Sequence, residues 1–75
     1  MDIHEFIKDF AGQFDDTPET EFNADTEFKN IEEWSSMTAL VVIAMVDEKY
    51  NKKLTGNDIR EATTVTDLFK IIQKK

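Results

Sequence analysis

Apolar positions near the start of the chain recur with a helical period. Ile3, Phe6, Ile7, Phe10 and Phe14 follow i, i+3, i+4, i+7 and i+11, which places them on one face. Asp2 with Glu5 three residues later has the form of a capping box, so a first helix is predicted over about Ile3–Phe14. Asp15-Asp16-Thr17-Pro18 ends it, because the proline ring disfavours helical backbone in the residue before it. From Asp15 to Ser35 no period holds. Phe22, Phe28, Ile31 and Trp34 are spaced through this polar stretch, which predicts a long loop laid over the core and anchored to it.

The period returns at Ser36. A second helix is predicted over about Ser36–Tyr50 with Ser35 as its N-cap, followed by a turn at Asn51-Lys52-Lys53. Thr55 with Asp58, and Thr64 with Asp67, repeat the capping-box spacing and open a short third helix and a last one. In that last helix Val65, Leu68, Phe69 and Ile72 form the apolar face. No segment sustains the alternation of a strand. The predicted fold is all-α: a single domain, residues 1–75, holding a small four-helix bundle of three main helices, one short third helix and a long first loop.

Composition narrows the chemistry. Seventy-five residues make a modest core, which argues against a deep cavity with its own catalytic set. There is no cysteine, so any thiol chemistry has to be brought in by a prosthetic group. Residues 1–35 carry eleven acids and two lysines, and residues 36–75 carry five acids and seven bases, within a net charge of −7. So acidic a first half disfavours nucleic acid and anionic membrane as partners and favours basic protein surfaces. The longest apolar run, Ala39–Val46, is far short of the roughly 20 residues of a transmembrane helix. The N-terminus lacks the basic start and apolar run of a signal peptide. A soluble, cytoplasmic monomer is expected.

Conventional catalysis fails on inventory. His4, the only histidine, lies in the first helical turn and is expected at the surface. Glu32 and Glu33 are adjacent and point apart, a poor acid–base pair, and the acidic loop lacks the ligand spacing of a calcium loop. Gly12 and Gly56 are too far apart to build a phosphate loop. No metal site is expected. What remains is Glu33-Trp34-Ser35-Ser36-Met37, where a serine hydroxyl would stand beside the first unpaired N–H groups of a helix, a favourable place for a phosphate ester. On the residues alone, two serines that merely cap the helix are the plainer reading.

Ser35-Ser36-Met37-Thr38-Ala39-Leu40, continuing to Glu48-Lys49-Tyr50, resembles the acyl carrier protein family, in which a modifiable serine within Asp-Ser-Leu opens an apolar helix that closes on an aromatic residue. Thr26 to Trp34 is similar to the family's lead-in, and Leu54-Thr55-Gly56-Asn57-Asp58-Ile59 with Thr64-Val65-Thr66-Asp67-Leu68 to its third and fourth helices. The likeness spans essentially the whole chain. It implies that a phosphopantetheinyl transferase attaches 4'-phosphopantetheine to Ser36, with Ser35 the second choice, and that the protein carries acyl or ketide groups without being an enzyme. It also implies that acyl- or ketide-processing enzymes dock at the second helix.

Two departures stand out: Ser35 replaces the family's aspartate and Met37 its leucine. With Leu40, Ile43, Val46 and Tyr50 taken as the buried face of the second helix, the exposed stripe is Thr38, Val41, Met45 and Glu48, mostly uncharged. These four, with Met37, are the expected partner-binding residues, docking by apolar contact. Phe6, Phe10, Leu40, Ile43, Val46, Ile59 and Phe69 are expected to line an interior able to shelter an acyl chain. An aminoacyl carrier, or a carrier-like module that is never modified and only binds proteins, remain as alternatives.

Overall fold

The apolar face predicted for the first helix is the face that is buried. In the computed structural model, which describes residues 2–75, α1 spans Ile3–Ala11, with Phe6 and Phe10 fully buried. Asp2 caps it by accepting from the His4 N–H at 3.0 Å rather than from that of Glu5. The helix stops at Ala11, three residues earlier than the spacing predicts. Beyond it Gln13 and Phe14 bond back to the carbonyls of Phe10 and Ala11, each at 3.0 Å, so the chain tightens to i→i+3 turns and still delivers Phe14 to the core.

α2 spans Ser36–Tyr50, α3 Gly56–Glu61 and α4 Val65–Gln73; among the described residues every regular element is helical. Asn51 ends α2 in the left-handed conformation (φ 56°), its N–H bonded to the Asp47 carbonyl. Both later capping boxes close: the Asp58 N–H reaches Thr55 Oγ1 and the Asp67 N–H reaches Thr64 Oγ1, each at 3.1 Å, and both carboxylates accept in return. α4 packs against α1 and α3. Among the described residues no polar side chain is buried.

All six phenylalanines, the tryptophan and the tyrosine join one aromatic cluster. It runs from Phe69 through Phe6 (5.6 Å between ring centres) to Phe10 (6.0 Å), Phe28 (5.4 Å) and Trp34 (5.0 Å), with Phe14 and Phe22 4.8 Å apart beside it. Phe22 and Phe28 are buried, so the loop is anchored as its aromatics predict. Backbone bonds add to this. The Ala24 and Thr26 carbonyls accept from the N–H groups of Thr66 (3.0 Å) and Val65 (3.1 Å), supplying partners that the first turn of α4 lacks within its own helix. Lys29 Nζ donates to the Ile59 and Arg60 carbonyls at 3.2 and 3.0 Å, where the α3 dipole is negative.

The end of α2 is fastened to α1. The Tyr50 hydroxyl and Lys49 Nζ both donate to Asp9. That hydroxyl, with help from Lys49, holds the Asp9 carboxyl below its ordinary range. Burial first, then the hydrogen bond to Asp9 and its charge, push the Tyr50 phenol above its usual value.

Candidate functional site

The junction before α2 is set by aromatic packing. Trp34 stacks on Phe14 at 6.2 Å and meets Phe28 edge-on, and its backbone N–H donates to the Ile31 carbonyl at 2.9 Å. Ser35 follows in extended backbone as the N-cap of α2, its Oγ accepting from the Thr38 N–H at 3.3 Å. The Thr38 hydroxyl donates to the Glu33 carbonyl (3.1 Å) and lies 3.2 Å from Ser35 Oγ. Its proton is therefore spent, and the Ser35 hydroxyl is the donor in that pair. Ser35 thus gives its one proton and takes one bond within the cap. Ser36 is the first residue of α2 and is exposed, and among the described residues its hydroxyl has no side-chain or backbone partner. Two serines that look alike in sequence do different work: one caps, the other is free.

Glu33, one half of a poor acid–base pair by its sequence, holds a structural position. Its carboxylate accepts from the Asp15 N–H (2.7 Å), the Asp16 N–H (3.0 Å) and the Thr17 hydroxyl (2.8 Å). Partial desolvation pushes its pKa up, but these three donors together outweigh it and hold the carboxyl below the ordinary range. The start and the end of the long loop are latched together by this one side chain. His4 is at the surface, as expected.

α2 corrects the predicted register. Its buried residues are Val42, Met45 and Val46, whereas Leu40 is 62% exposed. Met45 is therefore a core residue and not part of the docking stripe, and Leu40 belongs to the surface and not to the interior. At 100° per residue Leu40 lies about 160° round the helix from Val42. A helix apolar over most of its circumference has no sharp face of its own, and the aromatic cluster decides which arc turns inward. Ile43 and Tyr50 sit at the edge of the buried arc, half-covered. Thr38 is half-buried and tied to Glu33 and Ser35, so it offers little to a partner. Met37 (70% exposed), Val41 (41%) and Glu48 stand outward as expected.

The outer face of α2 is then Met37, Leu40, Val41, Ala44 and Glu48, beginning one residue after Ser36. It leads into a groove of about 210 Å³ between Gln13 and the side chains of Val41, Ala44, Met45, Glu48 and Lys49. A wider open trough of about 600 Å³ lies in the loop, with Asp16, Glu21, Glu27 and Glu32 on its walls. Of the residues expected to shelter a chain, Phe6, Phe10, Val46, Ile59 and Phe69 are buried in the packed core, and none of them lines either groove.

Among the described residues no group of three or more His, Cys, Asp or Glu side chains is placed to hold a metal, and no helix is long and apolar enough to cross a membrane. The arrangement offers one free hydroxyl at a helix N-terminus, an apolar face beside it and an acidic loop latched behind it. Comparison with family models, curated proteins and solved structures returned no match for the chain.

Proposed function

We propose that the protein is a carrier, cytoplasmic and monomeric, that holds acyl or ketide groups through a 4'-phosphopantetheine arm on Ser36. One observation carries the reading: Ser36 is exposed with an uncommitted hydroxyl at the first position of α2, while Ser35 takes over the capping. The site suits a phosphate ester. The first N–H groups of α2 have no acceptors within their helix, and the positive end of the helix dipole favours a negative charge there. Ser36 Oγ would attack the diphosphate of coenzyme A, forming one P–O bond as the bond to the departing adenosine bisphosphate breaks. The serine proton passes to a base of the transferase. Once attached, the arm supplies a thiol that carries cargo as a thioester.

The chain's own part is presentation. Met37, Leu40 and Val41 give partner enzymes an apolar surface beside the attachment point, and Glu48 closes its far end. Encounters of this sort must be brief, which fits a small interface. The same uncharged patch favours a second reading, a carrier-like module that binds proteins and is never modified.

The experiment is intact mass after incubation with coenzyme A, magnesium and a permissive phosphopantetheinyl transferase. Wild type and Ser35→Ala should gain one phosphopantetheine, and Ser36→Ala none. Absence of any gain with several transferases would favour the binding module.

A further inference from the structure

We propose that Glu33 is a positioning residue for the loading of Ser36, an inference that rests on the carrier reading. Its carboxylate gathers two backbone N–H groups and a hydroxyl from residues 16 to 18 positions away. The loop does not need this latch to stay on the core. Phe22 and Phe28 are buried, Ala24 and Thr26 bond to the start of α4, and Lys29 bonds to the end of α3. Next to the Phe14–Trp34 stack, Glu33 supplies the hydrogen bonds that hold Asp15-Asp16-Thr17 against the turn that leads into α2.

That turn bears on the serine directly. The Glu33 carbonyl accepts from Thr38, whose hydroxyl and N–H hold Ser35 in the cap, and Ser36 follows at once. Side chain and main chain of one residue therefore tie the flanking segment to the frame from which Ser36 projects. Released, residues 15–17 would no longer be held against the turn that carries Ser36, while the bonds that cap α2 remain. Glu33→Gln is the sharpest perturbation. It keeps the shape, but its amide NH2 would face donors where the carboxylate offers an acceptor.

The test is the kinetics of loading, with a transferase that loads wild type, coenzyme A and magnesium, across wild type, Glu33→Gln, Thr17→Val and Glu32→Gln. Glu32 is an exposed neighbour on the trough wall, so its variant makes the same change of charge without touching the latch. Glu33→Gln should raise the KM for the carrier on the order of ten-fold with kcat within about two-fold, as a misplaced but intact nucleophile does. Thr17→Val should raise it less, and Glu32→Gln by less than about two-fold. Equal KM values for wild type and Glu33→Gln overturn the proposal. So does an equal rise for Glu32→Gln, which would mean attraction by charge and not positioning. Should Glu33→Gln lose helical circular dichroism, Thr17→Val decides, and an unchanged KM there counts against the latch. Failure of wild type to load with every transferase removes the carrier reading and this inference with it; loading that ignores Glu33 removes the inference alone.

Discussion

Met45→Ala and Leu40→Ala, compared side by side, test which arc of α2 faces the core. Met45 is 6% exposed and touches the core cluster. Truncation to alanine removes three heavy atoms, worth roughly 2.4 kcal/mol at about 0.8 kcal/mol per buried methylene. The void left behind raises the cost to about 3 kcal/mol. Leu40 loses as many atoms but is 62% exposed. Little more than a third of the transfer term applies, under about 1 kcal/mol, and the better helix propensity of alanine offsets part of it. For a chain of this size Met45→Ala should lower the thermal midpoint by roughly 12–24 °C and Leu40→Ala by no more than about 5 °C. Urea unfolding followed by far-UV circular dichroism reads the same contrast at constant slope. Met45→Leu, which keeps the volume, should cost less than about 1.5 kcal/mol and guards against a trivial loss of fold. Equal midpoints for the two alanine variants, or a greater loss at Leu40, would refute the assignment of the buried arc.

Asn51→Gly should raise stability by a few tenths to about 1 kcal/mol and Asn51→Val lower it by about 1–2 kcal/mol, because the position holds a left-handed backbone; calorimetry checks both. Thr66→Val removes the 2.8 Å bond from its hydroxyl to the Ala24 carbonyl, so amide hydrogen exchange across residues 23–26 should speed up while α2 exchange stays unchanged. Asp9, Glu33, Asp58 and Asp67 all have depressed folded-state pKa values, so the stability they contribute is present above the unfolded carboxylate values and lost as pH falls through the folded ones. The thermal midpoint should be level from about pH 5 to about pH 9 and fall below about pH 4. Tyr50 has the opposite sign: its raised phenol pKa costs stability once pH climbs past the unfolded tyrosine value of about 10, which a second, alkaline fall in the midpoint would report.

Local chemistry made the helices legible. Thr55 with Asp58 and Thr64 with Asp67 close the boxes that their spacing predicts, since each needs only a partner three residues away. The stripe of Ile3, Phe6, Ile7 and Phe10 turns inward as read. Phe14 is buried too, but through a turn that the apolar period does not distinguish from one more helical step. Misreading α2 has a different cause. From Ala39 to Val46 every residue is apolar, so periodicity carries no phase there, and only the tertiary fit to the phenylalanines separates Met45 from Leu40. Glu33 was beyond reach for a third reason: its partners lie at the other end of a loop, and nothing in a run of acids marks which carboxylate is bonded. The serines fall between these cases. Ser35 caps α2 as its place before the helix predicts, but the bond between its hydroxyl and that of Thr38, which leaves Ser36 the uncommitted one, shows only in the fold.

Trp34 gives the molecule a built-in optical gauge at the place that matters. It is the only tryptophan, two residues before Ser36, with its ring on Phe14 and Phe28. Its emission colour and lifetime belong to one environment and require no deconvolution. Attachment of a group at Ser36, or loosening of the segment before it, would alter the water around that ring. Either event becomes visible in the unlabelled protein in real time, at concentrations far below those that magnetic resonance demands.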